Sequence, residues 1–141
     1  MKISLHDSLI MATTVFDFGN IVKDFNQFTT WLQDNNLIKK ETMCAECVSV
    51  MKPLAGKRVW ICSKRSQHPS GKLVRESMLK GTLFEGARTS PEMIMELCSC
   101  FSLKLTYDQT TLQTGASRPT ISRWFTTFRE ICLEKIRDGN L

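Results

Sequence analysis

The sequence predicts an α+β fold, in which a short β-rich segment lies between an N-terminal amphipathic helix and a C-terminal bundle of three helices. Three observations support this prediction. Apolar residues recur at helical spacing near both ends, short β-type runs separated by proline and glycine occupy the middle, and four potential metal ligands lie in that middle region. We therefore expect three segments, residues 1–40, 41–88 and 89–141.

The first predicted helix begins at Asn20. Its apolar residues recur at helical spacing: Ile21, Phe25, Phe28, Trp31 and Leu32. The polar run 33–36 then ends the pattern. Residues 1–19 have no clear period, and we assign no element to them.

Short β-type runs are predicted in the middle segment, at residues 48–51, 58–62 and 73–74. Proline and glycine residues separate these runs: Pro53, Gly56, Pro69 and Gly71. Strands this short cannot bury enough apolar surface to hold themselves together. A further stabilising element is therefore expected in this segment.

We expect that element to be a metal site. The spacing C-x2-C-x14-C-x5-H is formed by Cys44, Cys47, Cys62 and His68. A CxxC pair bends around one metal ion, and a second pair from a neighbouring hairpin completes the tetrahedron, as in a structural zinc ribbon. Bound Zn²⁺ would add folding free energy of order 10 kcal/mol, as it does in small zinc peptides.

The sequence does not decide which residue is the fourth ligand. The alternative is that His68 is a surface histidine and that Cys98 or Cys100 binds the metal in its place. Those cysteines fall on a predicted helix and are expected to be buried thiols, as is Cys132. Val48 stands where glycine is common after a zinc-knuckle cysteine.

Catalysis at the cysteine motif is not expected. A catalytic metal needs an open coordination position and a nearby general base, and no H-x-E element adjoins the cysteines. Glu46, inside the CxxC, is expected to be a solvated turn residue. A redox CxxC is the alternative, but the βαβ context of thioredoxin-like proteins is missing.

Three helices are predicted after Gly86. The first begins at Ser90-Pro91-Glu92, where a serine cap, a first-turn proline and an acid suit a helix N-terminus. The second opens at Thr106, which has capping-box spacing to Gln109, and closes at Gly115. Ser117 caps the third, which has a long apolar stripe: Ile121, Trp124, Phe125, Phe128, Ile131, Cys132 and Ile136.

The last two helices have the layout of a helix-turn-helix, in which the second helix enters the major groove of DNA by its N-terminal turns. Four polar residues lie in those turns and off the apolar stripe: Arg118, Thr120, Ser122 and Arg123. They could reach phosphates or base edges, with Arg123 the first choice for a base contact. The alternative is a plain three-helix bundle with a solvated polar face.

The charge distribution points to a polyanionic partner. The net charge of +5 is concentrated in residues 52–88, which hold nine basic and two acidic groups, hence +7. Clustered Lys and Arg gain by releasing counterions from a phosphate backbone. The phosphate contacts expected from this segment are Lys57, Arg58, Lys64, Arg65, Lys72 and Arg75. No export signal or membrane span is expected, because the apolar stretch 9–16 is short and interrupted.

The order of these parts resembles the N-terminal region of Merlin-type DDE transposases and their bacterial insertion-sequence relatives. The resemblance covers roughly residues 28–135. The matching residues are, in chain order, Trp31-Leu32-Gln33, Leu37, the Cys44–Cys47 pair, Trp60-Ile61-Cys62, residues 81–86, residues 115–121, Trp124 and residues 129–132. The resemblance implies a zinc ribbon and a helix-turn-helix that recognise transposon ends. In full-length relatives an RNase H-like domain follows, in which three carboxylates hold two Mg²⁺ ions.

We therefore expect a transposase-derived, non-catalytic protein, because the chain ends at Leu141 before such a domain. Its expected cofactor is Zn²⁺, its partner double-stranded DNA and its location the nucleus, with no membrane and no small-molecule substrate. One alternative is a protein-interaction adaptor that binds a related transposase or a second copy of itself. The other is a fragment of an active transposase.

Overall fold

A computed structural model describes residues 15–139. Within this range the chain is α+β, as the sequence predicts, with five α-helices and one three-stranded antiparallel sheet. It divides into two compact units, residues 20–87 and residues 88–139, and residues 15–19 group with the second. Residues 1–14, part of the stretch to which no element was assigned, lie outside the described range.

Two helices replace the single N-terminal helix that the apolar period predicts: α1, Val15–Lys23, and α2, Phe25–Asp34. The break falls at Asp24, whose backbone is extended and whose carboxylate accepts a hydrogen bond from the Gln27 N–H at 2.9 Å. Aspartate is among the best N-cap residues, so it starts a new helix without interrupting the apolar spacing. Phe28 and Leu32 are buried as expected.

The sheet contains β1, Lys52–Pro53, β2, Val59–Cys62, and β3, Val74–Ser77, in that order. The predicted run at 58–62 is confirmed, and the one at 73–74 extends further along the chain. The run at 48–51 is wrong, because only Val50 forms an isolated bridge, with Met43, and the ladder begins at Lys52. Val48 has a left-handed backbone with φ +57°, which ends extended structure there.

Arg58 helps to hold the first unit together. Its guanidinium lies over the Phe25 ring, 4.3 Å from the centroid, and its Nε–H donates to Thr29 Oγ1 at 3.2 Å. This side chain therefore joins the turn before β2 to helix α2. The buried apolar residues of the unit come from both helical and β segments: Val22, Phe28, Leu32, Ile38, Met51, Trp60, Met78 and Phe84.

The second unit contains α3, Pro91–Ser102, α4, Tyr107–Thr114, and α5, Arg118–Arg137. The predicted helix starts are confirmed: Ser90 Oγ accepts from the Met93 N–H, and Thr106 and Gln109 form a reciprocal capping box. Ser117 precedes α5 as predicted, but its side chain does not cap the helix backbone, because its hydroxyl pairs with that of Thr120. Gly115 ends α4 with φ +72°, the left-handed conformation that glycine adopts without steric cost.

Buried aromatic and aliphatic residues from α3 and α5 form the core of the second unit: Ile94, Met95, Leu97, Ile121, Trp124, Phe125 and Phe128. Cys98 and Cys100 are buried as expected, whereas the prediction for Cys132 is wrong, because its side chain is exposed. The apolar stripe of α5 is buried only as far as Phe128, and Ile136 is 55% exposed. None of the described helices has the length and hydropathy needed to cross a membrane.

Candidate metal centre and nucleic-acid interface

The four predicted ligands meet in the first unit. The potential ligand atoms of Cys44, Cys47, Cys62 and His68 all lie within 4.8 Å of one another. His68 Nε2 is 3.4 Å from Cys44 Sγ and 3.3 Å from Cys62 Sγ, and Cys47 Sγ is 3.7 Å from Cys62 Sγ. Three of the four side chains are buried, and Cys47 is half-buried.

These distances agree with the edges of one tetrahedron. Ordinary Zn–S and Zn–N bond lengths give ligand edges of about 3.8 Å between two sulfurs and about 3.6 Å between sulfur and nitrogen. These three separations lie within about 0.3 Å of those values, and the other ligand pairs lie within 4.8 Å. The group could therefore hold one metal ion once its widest pairs close by about 1 Å, and all four positions would be filled by protein.

The CxxC loop is built by backbone hydrogen bonds around Cys44. Its N–H donates to the Ser49 carbonyl at 2.8 Å, and its carbonyl accepts from the Val48 N–H at 3.0 Å. The loop closes with Val48 in the left-handed conformation usually taken by glycine. Hydrogen bonds from the side chain and backbone of Ser49 lower the pKa of Cys47 to about 6. The loop thus favours the thiolate, the form that binds a metal.

The second pair of ligands comes from the end of β2 and from the loop that follows. Cys62 is the last residue of β2, and His68 follows a 3₁₀ turn at Arg65–Gln67. His68 Nδ1 lies 2.6 Å from the Lys72 carbonyl, a partner that can only accept a hydrogen bond. That contact, the largest cause of the raised pKa of His68, places the proton on Nδ1 and leaves Nε2 facing the sulfurs.

Glu46 links the CxxC loop, which contains Cys44 and Cys47, to the loop that contains His68. Its carboxylate accepts from the Ser70 N–H at 3.0 Å and from the Ser70 hydroxyl at 2.8 Å. The same hydrogen bonds lower the pKa of Glu46. The sequence predicts a solvated turn residue at this position, because no sequence pattern links Glu46 to a partner 24 positions away. The contact fixes the CxxC loop against the loop that contains His68.

The basic side chains predicted for the first unit are mostly exposed: Lys57, Lys64, Arg65, Lys72 and Arg75. Arg58 is half-buried in its contact with α2. Arg75 lies opposite Ile61 in the sheet register, and Ile61 lies opposite Lys52. Because directly opposed residues share a face, Lys52 and Arg75 flank half-buried Ile61 on one side of the sheet.

The four polar residues predicted for DNA contact lie in the first turns of α5. Arg118 is 3.7 Å from the Asp108 carboxylate, and the Thr120 hydroxyl is 2.9 Å from that of Ser117. Ser122 is half-buried. Arg123 is exposed, and among the described residues no carboxylate forms an ion pair with it.

Sequence reasoning missed two residues beside this group. Ser122 and Arg129 lie beside the Tyr107 hydroxyl, and hydrogen bonding to these two side chains lowers the pKa of Tyr107. Tyr107 begins α4, whereas Arg129 begins the fourth turn of α5, so no spacing rule links them.

Comparisons with protein-family models, with curated proteins and with solved structures find no match for this chain.

Proposed function

We propose that this chain is a transposase-derived, non-catalytic protein that binds double-stranded DNA. The observation that carries the proposal is the arrangement of α4, the turn 115–117 and α5. Helix α5 buries Ile121 and Phe125 in its unit while it exposes Arg118 and Arg123 near its N-terminus. Helix-turn-helix proteins place the N-terminal turns of such a helix in the major groove.

The charge pattern along α5 supports contact by its N-terminal end. Glu130 and Glu134 follow Arg123 by seven and eleven residues, which places all three on one exposed side of the helix. The two carboxylates would repel phosphates. A duplex would therefore meet the first turns of α5, with Arg123 reaching a base edge and Arg118, Thr120 and Ser122 beside it.

In this proposal the first unit is a zinc ribbon that binds phosphate groups of the DNA backbone. Three thiolates and one imidazole in a closed tetrahedral arrangement suit Zn²⁺, which in structural sites is bound by four sulfur and nitrogen ligands. The exposed basic side chains around the centre supply the phosphate contacts: Lys57, Lys64, Arg65, Lys72 and Arg75. Arg58 stabilises the unit through its contact with α2 instead.

The proposed ancestry and location rest on the resemblance to Merlin-type transposases. A protein that retained their end-recognition parts would act on DNA in the nucleus.

Salt-dependent DNA binding tests the proposal. With a fluorescent duplex and the zinc-loaded chain, four to six phosphate contacts should weaken affinity by roughly 10²- to 10³-fold between 50 and 200 mM salt. Arg123→Ala should lower discrimination among sequences selected from a random pool, by about 1–3 kcal/mol at one base pair. Arg137→Ala, which removes the same charge from the last turn of α5, is the control. Affinity that is independent of salt contradicts the proposal.

Elemental analysis tests the metal. We expect one zinc per chain, lost in Cys44→Ser and retained in Cys132→Ser, since Cys132 is exposed and outside the Cys/His group. Selection of duplexes with and without a chelator then shows whether DNA binding needs the metal. Full zinc content in Cys44→Ser would refute the ligand set.

A second candidate function is a protein-interaction adaptor. The observation that favours it is the exposure of Leu133 and Ile136, which are 51% and 55% exposed on the C-terminal half of α5. Exposed apolar residues on one helix suit a partner helix. Failure to bind any duplex, together with stable association with a related transposase or with a second copy, would favour this candidate over DNA binding.

A further inference from the structure

The Tyr107 ring, at the start of α4, packs against the core of the second unit. Its ring meets the Phe125 ring edge to face, with centroids 5.6 Å apart and an interplanar angle of 66°. Phe125 is buried and also contacts Phe101. The aromatic contact anchors the ring of this half-buried residue in the core of the second unit, and its hydroxyl lies beside Ser122 and Arg129 of α5.

Two arginines of α5 are arranged around this tyrosine. The Arg118 guanidinium lies 5.3 Å from the centre of the Tyr107 ring, and the Arg129 side chain lies beside the Tyr107 hydroxyl and lowers its pKa. Arg129 donates to the Thr126 hydroxyl at 3.4 Å, and Ser122 also lies beside the Tyr107 hydroxyl. Tyr107 therefore brings the two guanidinium groups to one place on the surface of the unit.

The charge of these two arginines is poorly balanced within the protein. Arg118 has one carboxylate partner, Asp108, and both side chains of that pair are largely exposed, at 71% and 90%. Exposed pairs of this kind stabilise by at most about 1 kcal/mol, so a stronger anion can replace the carboxylate. No carboxylate among residues 15–139 forms an ion pair with Arg129.

The positions on α5 suit an extended anion rather than a small one. Arg118, Ser122 and Arg129 are spaced i, i+4 and i+11, which places them on one stripe of the helix. The backbones of the two arginines are about 16 Å apart along the axis, but their guanidinium groups are closer, one over the Tyr107 ring and the other beside its hydroxyl. Guanidinium groups bind phosphate oxygens through paired N–H donors.

We infer that Tyr107, Ser122, Arg118 and Arg129 form a clamp for successive phosphate groups of one DNA strand, next to the base-contacting Arg123. This inference rests on the proposed DNA binding and deepens it by assigning the contacts that fix the register of α5. Arg118 and Arg129 contact the phosphates. Tyr107 is a positioning residue that acts through Arg129.

Fluorescence anisotropy with a random-sequence 24-base-pair duplex tests the clamp on the zinc-loaded full chain. Arg118→Gln and Arg129→Gln should each reduce the slope of log affinity against log salt by about 0.9, which corresponds to a loss of about eightfold at 0.1 M salt. Arg137→Gln, which lies on the same helix outside the clamp, should leave the slope at the wild-type value. Thermal melting of each variant checks that the fold is retained.

Tyr107→Phe separates positioning from packing, because it keeps the ring against Phe125 and removes only the hydroxyl. We expect affinity to fall about threefold to tenfold, in the range of one lost hydrogen bond to a charged group. If Tyr107 acts through Arg129, the double variant Tyr107→Phe, Arg129→Gln binds no more weakly than Arg129→Gln alone. Independent, multiplicative losses would overturn that role.

The other outcomes distinguish the clamp from the proposed function. If the wild-type chain binds duplex and Arg123→Ala loses sequence discrimination, but Arg118→Gln and Arg129→Gln keep the wild-type salt slope, DNA binding stands and the clamp is wrong. If the wild-type chain binds no duplex at 50 mM salt, both are overturned.

Discussion

Val48 offers a sharp test of how the CxxC loop is built. It lies in the left-handed region with φ +57°, although its side chain is β-branched and 69% exposed. A β-branched residue is a strong outlier in this region, whereas asparagine is several-fold enriched there. We therefore predict that Val48→Asn stabilises the first unit and tightens metal binding.

The magnitude follows from two opposing contributions. A left-handed conformation costs an L-residue roughly 1–2 kcal/mol, and asparagine relieves much of this cost through local hydrogen bonds. Against this gain, the substitution removes the apolar surface of Val48, about a third of which is buried, and so loses roughly 0.5–0.9 kcal/mol of hydrophobic stabilisation. The net gain is about 0.5–1 kcal/mol. Val48→Gly should gain less, because glycine adds roughly 0.5–1 kcal/mol of unfolded-state entropy.

Urea unfolding of the zinc-loaded chain and competition with a chromogenic chelator measure the two effects. Because folding and metal binding are coupled, the gain should appear as zinc affinity that is about two- to fivefold tighter. The matched control is Val50→Asn, which is 57% exposed but has no positive φ, so the substitution relieves no strain. Equal destabilisation by the two substitutions would refute the reasoning.

Three further predictions concern the second unit. Burial raises the pKa of Glu96 above 4.5, and the nearby charge of Glu92 raises it further. The free energy of unfolding should therefore fall as the pH rises from about 4.5 through the raised pKa of Glu96. Glu96→Gln should flatten that part of the profile of melting temperature against pH, and an unchanged profile would contradict this prediction. Burial raises the pKa of Cys98 to about 12, so iodoacetamide at pH 8 should label exposed Cys132 long before Cys98, as peptide mass mapping would show. Gly115→Ala should cost about 1–2 kcal/mol in urea unfolding, from the left-handed backbone alone, since a Cβ there meets nothing within 4 Å. If Gly115→Ala leaves the free energy of unfolding unchanged, the turn can rearrange and this prediction is wrong.

Local chemistry was predictable because its partners are close in sequence. The caps at Ser90 and Thr106 and the left-handed Gly115 depend on neighbours within about four residues, and all three match the structure. The strand at 58–62 and the buried Phe28 follow from short-range periodicity in the same way. The α+β class is the sum of such local preferences.

Errors arose where local preferences compete. The apolar period crosses Asp24 unbroken, but the carboxylate caps a new helix and divides the predicted one. The apolar stripe of α5 continues to Ile136, yet its burial stops at Phe128. Periodicity identifies the apolar side of a helix but not how far a neighbour covers it.

The amino-acid sequence by itself determined which residues could bind a metal, through the CxxC pair and the later Cys62 and His68. Only the tertiary structure decided that His68, rather than a helical cysteine, completes the group, because loop closure brings its Nε2 within 3.4 Å of Cys44 Sγ. The Glu46–Ser70 contact and the Tyr107–Arg129 contact were likewise decided by folding. Such pairs form between residues brought together by chain packing, and no local spacing encodes them.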